Sequence, residues 1–148
     1  MSNLVTGNLS VPPSNDPPLQ ARPLWNERAR ARAPSRKSAQ RLCELVALAT
    51  AAAFAVPVGE LAASSRRSPA IAFARQSAMY LAHVSFGLSY SEVGRAFGRD
   101  RTTAAHACRL VEERRDDAAI DAVLGSLECA CAALRRRLAG QAHAQVRQ

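Results

Sequence analysis

A chain of 148 residues has room for one domain with a modest core, and not for two domains with linkers. Its 20 basic against 12 acidic side chains, a net charge of +8, suit a polyanionic partner such as nucleic acid, although 19 Arg, a single Lys (Lys37) and 31 Ala are also what a GC-rich genome would produce. The Ala-rich stretch from Leu45 to Val58 is too short to span a bilayer, and no G-x-x-x-x-G-K-[ST] or G-x-G-x-x-G run cradles a phosphate. A membrane protein, an ATPase and a dinucleotide enzyme are thereby disfavoured, and no cofactor is expected.

Residues 1–37 hold Pro12, Pro13, Pro17, Pro18, Pro23 and Pro34 with almost no apolar period, which predicts a disordered arm. It carries Arg22, Arg28, Arg30, Arg32, Arg36 and Lys37 against Asp16 and Glu27, and reads equally as a DNA-contacting arm or a solvated tail. No apolar segment follows a basic start, so a cytoplasmic, nucleoid-associated location is expected, with Cys43, Cys108, Cys129 and Cys131 as reduced thiols.

From Ser38 the chain reads as helices. Ser38 is placed to cap a helix with Leu42, Leu45, Val46 and Ala49 at helical spacing, ending before Pro57. A turn over Val58 to Ala63 leads to the polar loop Ser64-Ser65-Arg66-Arg67. Ser68-Pro69 restarts the chain as a cap with Pro at the first helical position. The helix that follows is expected to be amphipathic, with Ile71, Ala74, Ala78, Leu81, Ala82 and Ser85 on one stripe and Gly87 at its end. Ser89 and Glu92 have capping-box spacing for a short helix to Phe97, which Gly98 stops. Asp100 then caps a helix that turns Ala104, Ala107, Cys108 and Val111 one way, and Thr102, His106 and Arg109 the other. No alternating β pattern occurs, so the fold class is all-α, with residues 38–113 as its principal domain.

Two helices joined by a tight glycine-containing turn, the second opening on polar side chains, describe a helix-turn-helix. Such a motif presents the N-terminal end of its second helix to the major groove, where Arg101 suits guanine O6 and N7 and the methyl groups of Thr102 and Thr103 suit thymine.

These residues carry a family resemblance. Arg66-Arg67-Ser68, Arg75-Gln76, Ala78-Met79, Glu92-Val93-Gly94, Ala96-Phe97-Gly98, Arg99-Asp100-Arg101-Thr102-Thr103 and His106-Ala107-Cys108-Arg109 resemble, in order, the C-terminal DNA-binding domain of the bacterial chromosomal replication initiator DnaA. The resemblance covers roughly Val58 to Val111 and extends back over the helix from Ser38. It implies a Trp-repressor-like helix-turn-helix bundle that recognises a short AT-rich duplex box. By the same resemblance Arg67 enters the adjacent minor groove, with Arg66 beside it in the basic loop. Arg75, Gln76 and His106 touch phosphates, as does the helix start at Tyr90 and Ser91. Asp100, Arg101, Thr102 and Thr103 form the base-reading end, with Arg99 on the same face. Where the family has Asp-His-Thr-Thr this chain has Arg101, a guanidinium that prefers guanine or phosphate. The 37 preceding residues are too few for the initiator's ATPase module, so a stand-alone, non-enzymatic domain is expected, acting in replication initiation or its regulation, with a transcriptional regulator at other sites or a helical protein-interaction module as the alternatives.

Residues 114–139 are expected to form an additional C-terminal helix, followed by a tail over 140–148. Ile120, Leu124, Leu127, Cys131, Leu134 and Leu138 recur at heptad intervals. That stripe fits a homodimeric coiled coil, or equally a helix folded back onto its own domain. The Arg135-Arg136-Arg137 cluster suits the negative end of the same helix. Cys129 and Cys131 lack a paired ligand set and read as core residues, not a zinc site.

Overall fold

A computed structural model describes residues 34–63 and 68–145, with side chains to residue 141. Among the described residues there are six helices and no strand: α1 (Arg36–Ala53), α2 (Val58–Ala62), α3 (Pro69–Phe86), α4 (Tyr90–Ala96), α5 (Arg101–Arg114) and α6 (Ala118–Gln145). The arm over 1–33 and the loop containing Arg66 and Arg67 lie outside the described residues.

Capping chemistry sets most of the helix starts. Ser68 accepts a hydrogen bond from Ala70 N at 3.3 Å with Pro69 opening α3, and Gly87 ends that helix in the left-handed region at φ 68°. One start is shifted. Ser35, not Ser38, caps α1, accepting from Ser38 N at 3.2 Å, because Arg36 and Lys37 are good helix formers and extend the helix back to the serine after Pro34. Val58–Ala62, expected as a turn, is a helical turn whose Leu61 is buried with Ala51 of α1 and Ala74 of α3.

The third helix departs furthest from expectation. Instead of one apolar stripe, every residue from Ser77 to Ala82 is buried, because α1, α5 and α6 pack around it. A helix wrapped on several sides has no polar face to show, which explains its small Ala and Ser residues as close-approach positions. Leu81, Leu88, Val93, Val111 and Leu124 are essentially inaccessible and form the centre of the core.

The heptad stripe of α6 is spent inside this core. Leu124, Leu127 and Cys131 are buried, and Ile120 is half-buried against the cluster formed by α1, α3, α4 and α5. Arg115 locks the arrangement: its guanidinium donates to Tyr80 Oη of α3 at 2.9 Å, to the carboxylate of Glu128, and to Asp121 Oδ1 at 2.7 Å. The homodimer read from Ile120, Leu124, Leu127, Cys131, Leu134 and Leu138 is corrected accordingly. The first four face their own domain, Leu134 is half-buried, and only Leu138 is exposed. The Arg135–Arg137 cluster is also not at a helix end, since α6 runs on to Gln145. Arg135 donates instead to Ser85 O at 3.0 Å, satisfying a carbonyl in the last turn of α3. Cys131 is a core residue as expected, whereas Cys129 is exposed.

Candidate nucleic-acid interface

The second helix of the motif is aimed by a turn with little steric freedom. Ser89 and Glu92 complete a reciprocal capping box at the start of α4, with Ser89 N donating to Glu92 Oε2 at 2.8 Å and Glu92 N to Ser89 Oγ at 3.2 Å. Past Ala96 the chain folds back on itself, and Arg99 N donates to Gly94 O at 2.7 Å. Gly98 takes φ 62°, a conformation that disfavours any side chain. Gly94 is required for a different reason: a Cβ there would sit 2.8 Å from the carbonyl oxygens of both Arg99 and Asp100. The absent side chain is what lets α4 and the start of α5 touch.

Asp100 caps α5, its Oδ1 accepting from Thr103 N at 2.6 Å. That backbone hydrogen bond holds the carboxyl below the ordinary aspartate range, so the reading end carries a fixed negative charge beside Arg101. Arg101, Thr102 and Thr103 are exposed, while Ala104, Ala107, Cys108 and Val111 bury the opposite face. Arg109 donates to His106 Nδ1 at 2.9 Å, and because an arginine cannot accept, the ring proton resides on Nε2. His106 thus offers a donor from an exposed position in the second turn of α5.

A groove of about 760 Å³ runs between the N-terminal halves of α3 and of α5. It brings Gln76, Asp100, Thr102, Thr103 and His106 together with Ser68. Arg101 is exposed beside this groove without lining it, and Tyr90 and Ser91 stand at the opposite end of α4. Tyr90 is half-buried and stacked on His83 with ring centroids 4.2 Å apart, while Ser91 is exposed. His83 in turn hydrogen-bonds Leu88 O at 2.7 Å and so sets the turn that carries Tyr90.

Arg75 and Arg99 also line the groove, but their polar edges are directed at the backbone. Arg75 is 7% exposed, with Nε donating to Leu61 O at 2.7 Å and Nη2 to Glu60 O at 2.8 Å. Arg99 Nη2 donates to Ala63 O at 3.0 Å. Three carbonyls at the end of α2 are thereby fastened, two to α3 by Arg75 and one to the turn of the helix-turn-helix by Arg99, which differs from the free phosphate contact expected of Arg75. Helical spacing cannot reveal this, because the partner carbonyls lie 14, 15 and 36 residues away.

The sequence from 43 to 111 matches the family described as the bacterial dnaA protein helix-turn-helix. Residues 43–111 form a DnaA-type helix-turn-helix domain. The match runs from the middle of α1 to the buried Val111 near the end of α5, so it takes in both helices of the motif and the central helix α3. A DnaA-type domain of this kind binds DNA, and the rest of its architecture can be read in that light. Helix α6 lies beyond the matched region yet completes its core through Leu124 and Leu127. Among the described residues no helix is long and apolar enough to cross a membrane.

Three positions matter to the groove in ways that local spacing does not reveal. Ser68, besides capping α3, lines the groove. Gly94 stood in a family motif, but its need for a bare Cα shows only in the approach of Arg99 and Asp100. Met79 lines the groove floor, buried at 2% exposure, and carries no sequence signal separating it from other core residues of α3.

Proposed function

We propose that this protein reads a specific duplex sequence with the first turn of α5, at a replication-origin-type box, and acts in replication initiation or its regulation. The observation that carries the reading is the convergence of Gln76, Thr102, Thr103 and His106 on one groove inside a DnaA-type domain. In this reading the positive end of the 14-residue α5 faces the duplex. Arg101 bonds a guanine edge or a phosphate, Thr102 and Thr103 pack methyl groups on thymine, and Asp100 accepts from a cytosine amino group while keeping its cap. Gln76 and His106 position the duplex through phosphates, Ser91 and Tyr90 do so at the other end of α4, and Arg66 and Arg67 reach an adjacent AT-rich minor groove. Arg75 and Arg99 serve by holding the segment that leads into that basic loop.

A second use, transcriptional regulation at other sites, is favoured by one observation: Arg101 stands where the family's ring would pack on a thymine methyl. The two are separated by enriching preferred duplexes from a random pool with the wild type, Arg67→Ala and Arg101→Ala. An AT-rich initiator-type box is expected, with Arg101→Ala relaxing preference at one or two positions, worth about 1–3 kcal/mol each, and Arg67→Ala relaxing the AT-rich flank. Enrichment of an unrelated motif supports the regulator, and enrichment of none overturns sequence-specific reading.

A further inference from the structure

A second basic surface lies away from the reading groove, in a cleft of about 720 Å³ between the first half of α1 and the exposed side of α4. Arg36, Lys37 and Arg41 of α1 and Arg95 of α4 line it, all four exposed. The two carboxylates in the cleft are already engaged: Glu92 belongs to the capping box, and Glu44 accepts from Gln40 Nε2 at 3.2 Å. Among the described residues none of the four cations makes an ion pair or a side-chain hydrogen bond, unlike Arg75, Arg99 and Arg115. Four cations against two carboxylates leave the cleft with an excess of positive charge, and with none of the four held in an ion pair that excess lowers the potential energy of an anion entering it.

We propose that this cleft is a second phosphate-binding surface, which engages the backbone of the same duplex outside the box read by α5. The proposal rests on the DnaA-type domain being a duplex binder. Two observations favour a linear polyanion over an acidic protein. One wall of the cleft is α4, the first helix of the motif, so the cleft adjoins the element that a helix-turn-helix sets against a duplex. The other wall follows Arg22, Arg28, Arg30 and Arg32 in sequence, so the chain is rich in basic residues just before the helix that lines the cleft. Such contacts add affinity and carry no base information.

The test measures duplex affinity against salt concentration by fluorescence anisotropy, for the wild type, Arg95→Gln, and the combined Arg36→Gln, Lys37→Gln and Arg41→Gln variant. Two duplexes are used, one trimmed to the preferred box and one extended by about a helical turn on each side. The expected result on the longer duplex is a log–log salt slope shallower by about 0.9 per contact removed, with roughly fivefold weaker binding per contact near 0.15 M salt. Base preferences stay as in the wild type, and the trimmed duplex shows a smaller loss. Arg95→Gln alone, one exposed side chain, keeps the test valid if the combined variant melts at a lower temperature. Unchanged slopes and affinities overturn the proposal and leave the cleft to an acidic protein segment, whose apolar residues would meet the adjacent Leu48 and Val58. A wild type that prefers no sequence sinks the reading by α5 instead, and the slope comparison on non-specific duplex still decides the cleft.

Discussion

Around the junction of α2, α3 and the helix-turn-helix turn, the guanidinium groups of Arg75 and Arg99 point inward onto the carbonyls of Glu60, Leu61 and Ala63. Two residues beyond Arg99, the first turn of α5 presents Arg101 to solvent with no partner among the described residues. The same side chain therefore does two kinds of work within a few ångströms of chain. A carbonyl that has lost its helical partner and its water must be satisfied, and the forked guanidinium can reach two at once. In the first turn of α5 the exposed Arg101 remains solvated, so no folding energy depends on it, and in the proposed reading a base or a phosphate replaces that water. What separates a structural arginine from a binding one is thus the fate of its donors when the partner is removed, not its charge.

That contrast can be broken most severely at the turn joining the two regions. Gly94→Ala places a methyl 2.8 Å from two backbone oxygens, and is expected to cost about 3 kcal/mol in urea unfolding and to abolish specific binding, because α5 must tilt away from α4. Retained affinity in that variant would mean that the angle between the helices is not what the duplex reads. Next, Arg75→Ala is expected to lower stability by about 2 kcal/mol by orphaning two carbonyls, whereas Arg101→Ala changes stability by less than about 0.5 kcal/mol and acts on base preference alone. Equal stability effects would erase the distinction.

Arg115 sharpens the same point from the far side of the core. Its bonds to Tyr80, Asp121 and Glu128 involve partly exposed groups, so Arg115→Ala should cost about 1–2 kcal/mol, with α6 losing amide-exchange protection before α3. Because Leu124, Leu127 and Cys131 are spent inside the chain, the melting temperature should not change with protein concentration. A rise with concentration would reinstate pairing through α6.

The smallest expected effect concerns the thiols. Burial pushes Cys43 up to about 12 and Cys108 up to about 11, so both remain protonated at pH 8 and only the exposed Cys129 should alkylate rapidly in the native protein. The sign for stability follows. A thiol whose value is raised by folding favours the folded state fully below its ordinary value of 9.0, and that contribution is lost as pH rises toward 12. Alkaline unfolding beginning above about pH 9 is the expected measurement, and rapid modification of Cys43 at pH 8 would contradict its burial.

Much of the site is legible in local chemistry. Ser68-Pro69, Gly87, the Ser89 and Glu92 pair, Gly98 and Asp100 each act within a few residues of themselves, so spacing alone locates the starts of α3, α4 and α5 and the polar face of the last. The shifted start of α1 is a local departure, set by Ser35 three residues before Ser38; the others involve partners distant in sequence. The short helix α2 persists because Leu61 is buried under α1 and α3 and its end is held by Arg75, neither of which a five-residue window contains. Helix α3 lost its expected single face because three other helices wrap it. The stripe on α6 is the same whether it meets a second copy or its own domain, since both uses need apolar groups every three or four residues.

Sequence by itself determined where α3, α4 and α5 begin, which side of α5 is polar, and the order of motif residues that marks a DnaA-type domain, because caps, period and motif order are properties of neighbouring residues. Only the tertiary structure decided which arginines are free to meet a phosphate. Charge is written in the chain, but whether a guanidinium is already spent depends on carbonyls and carboxylates brought to it from 6 to 50 residues away.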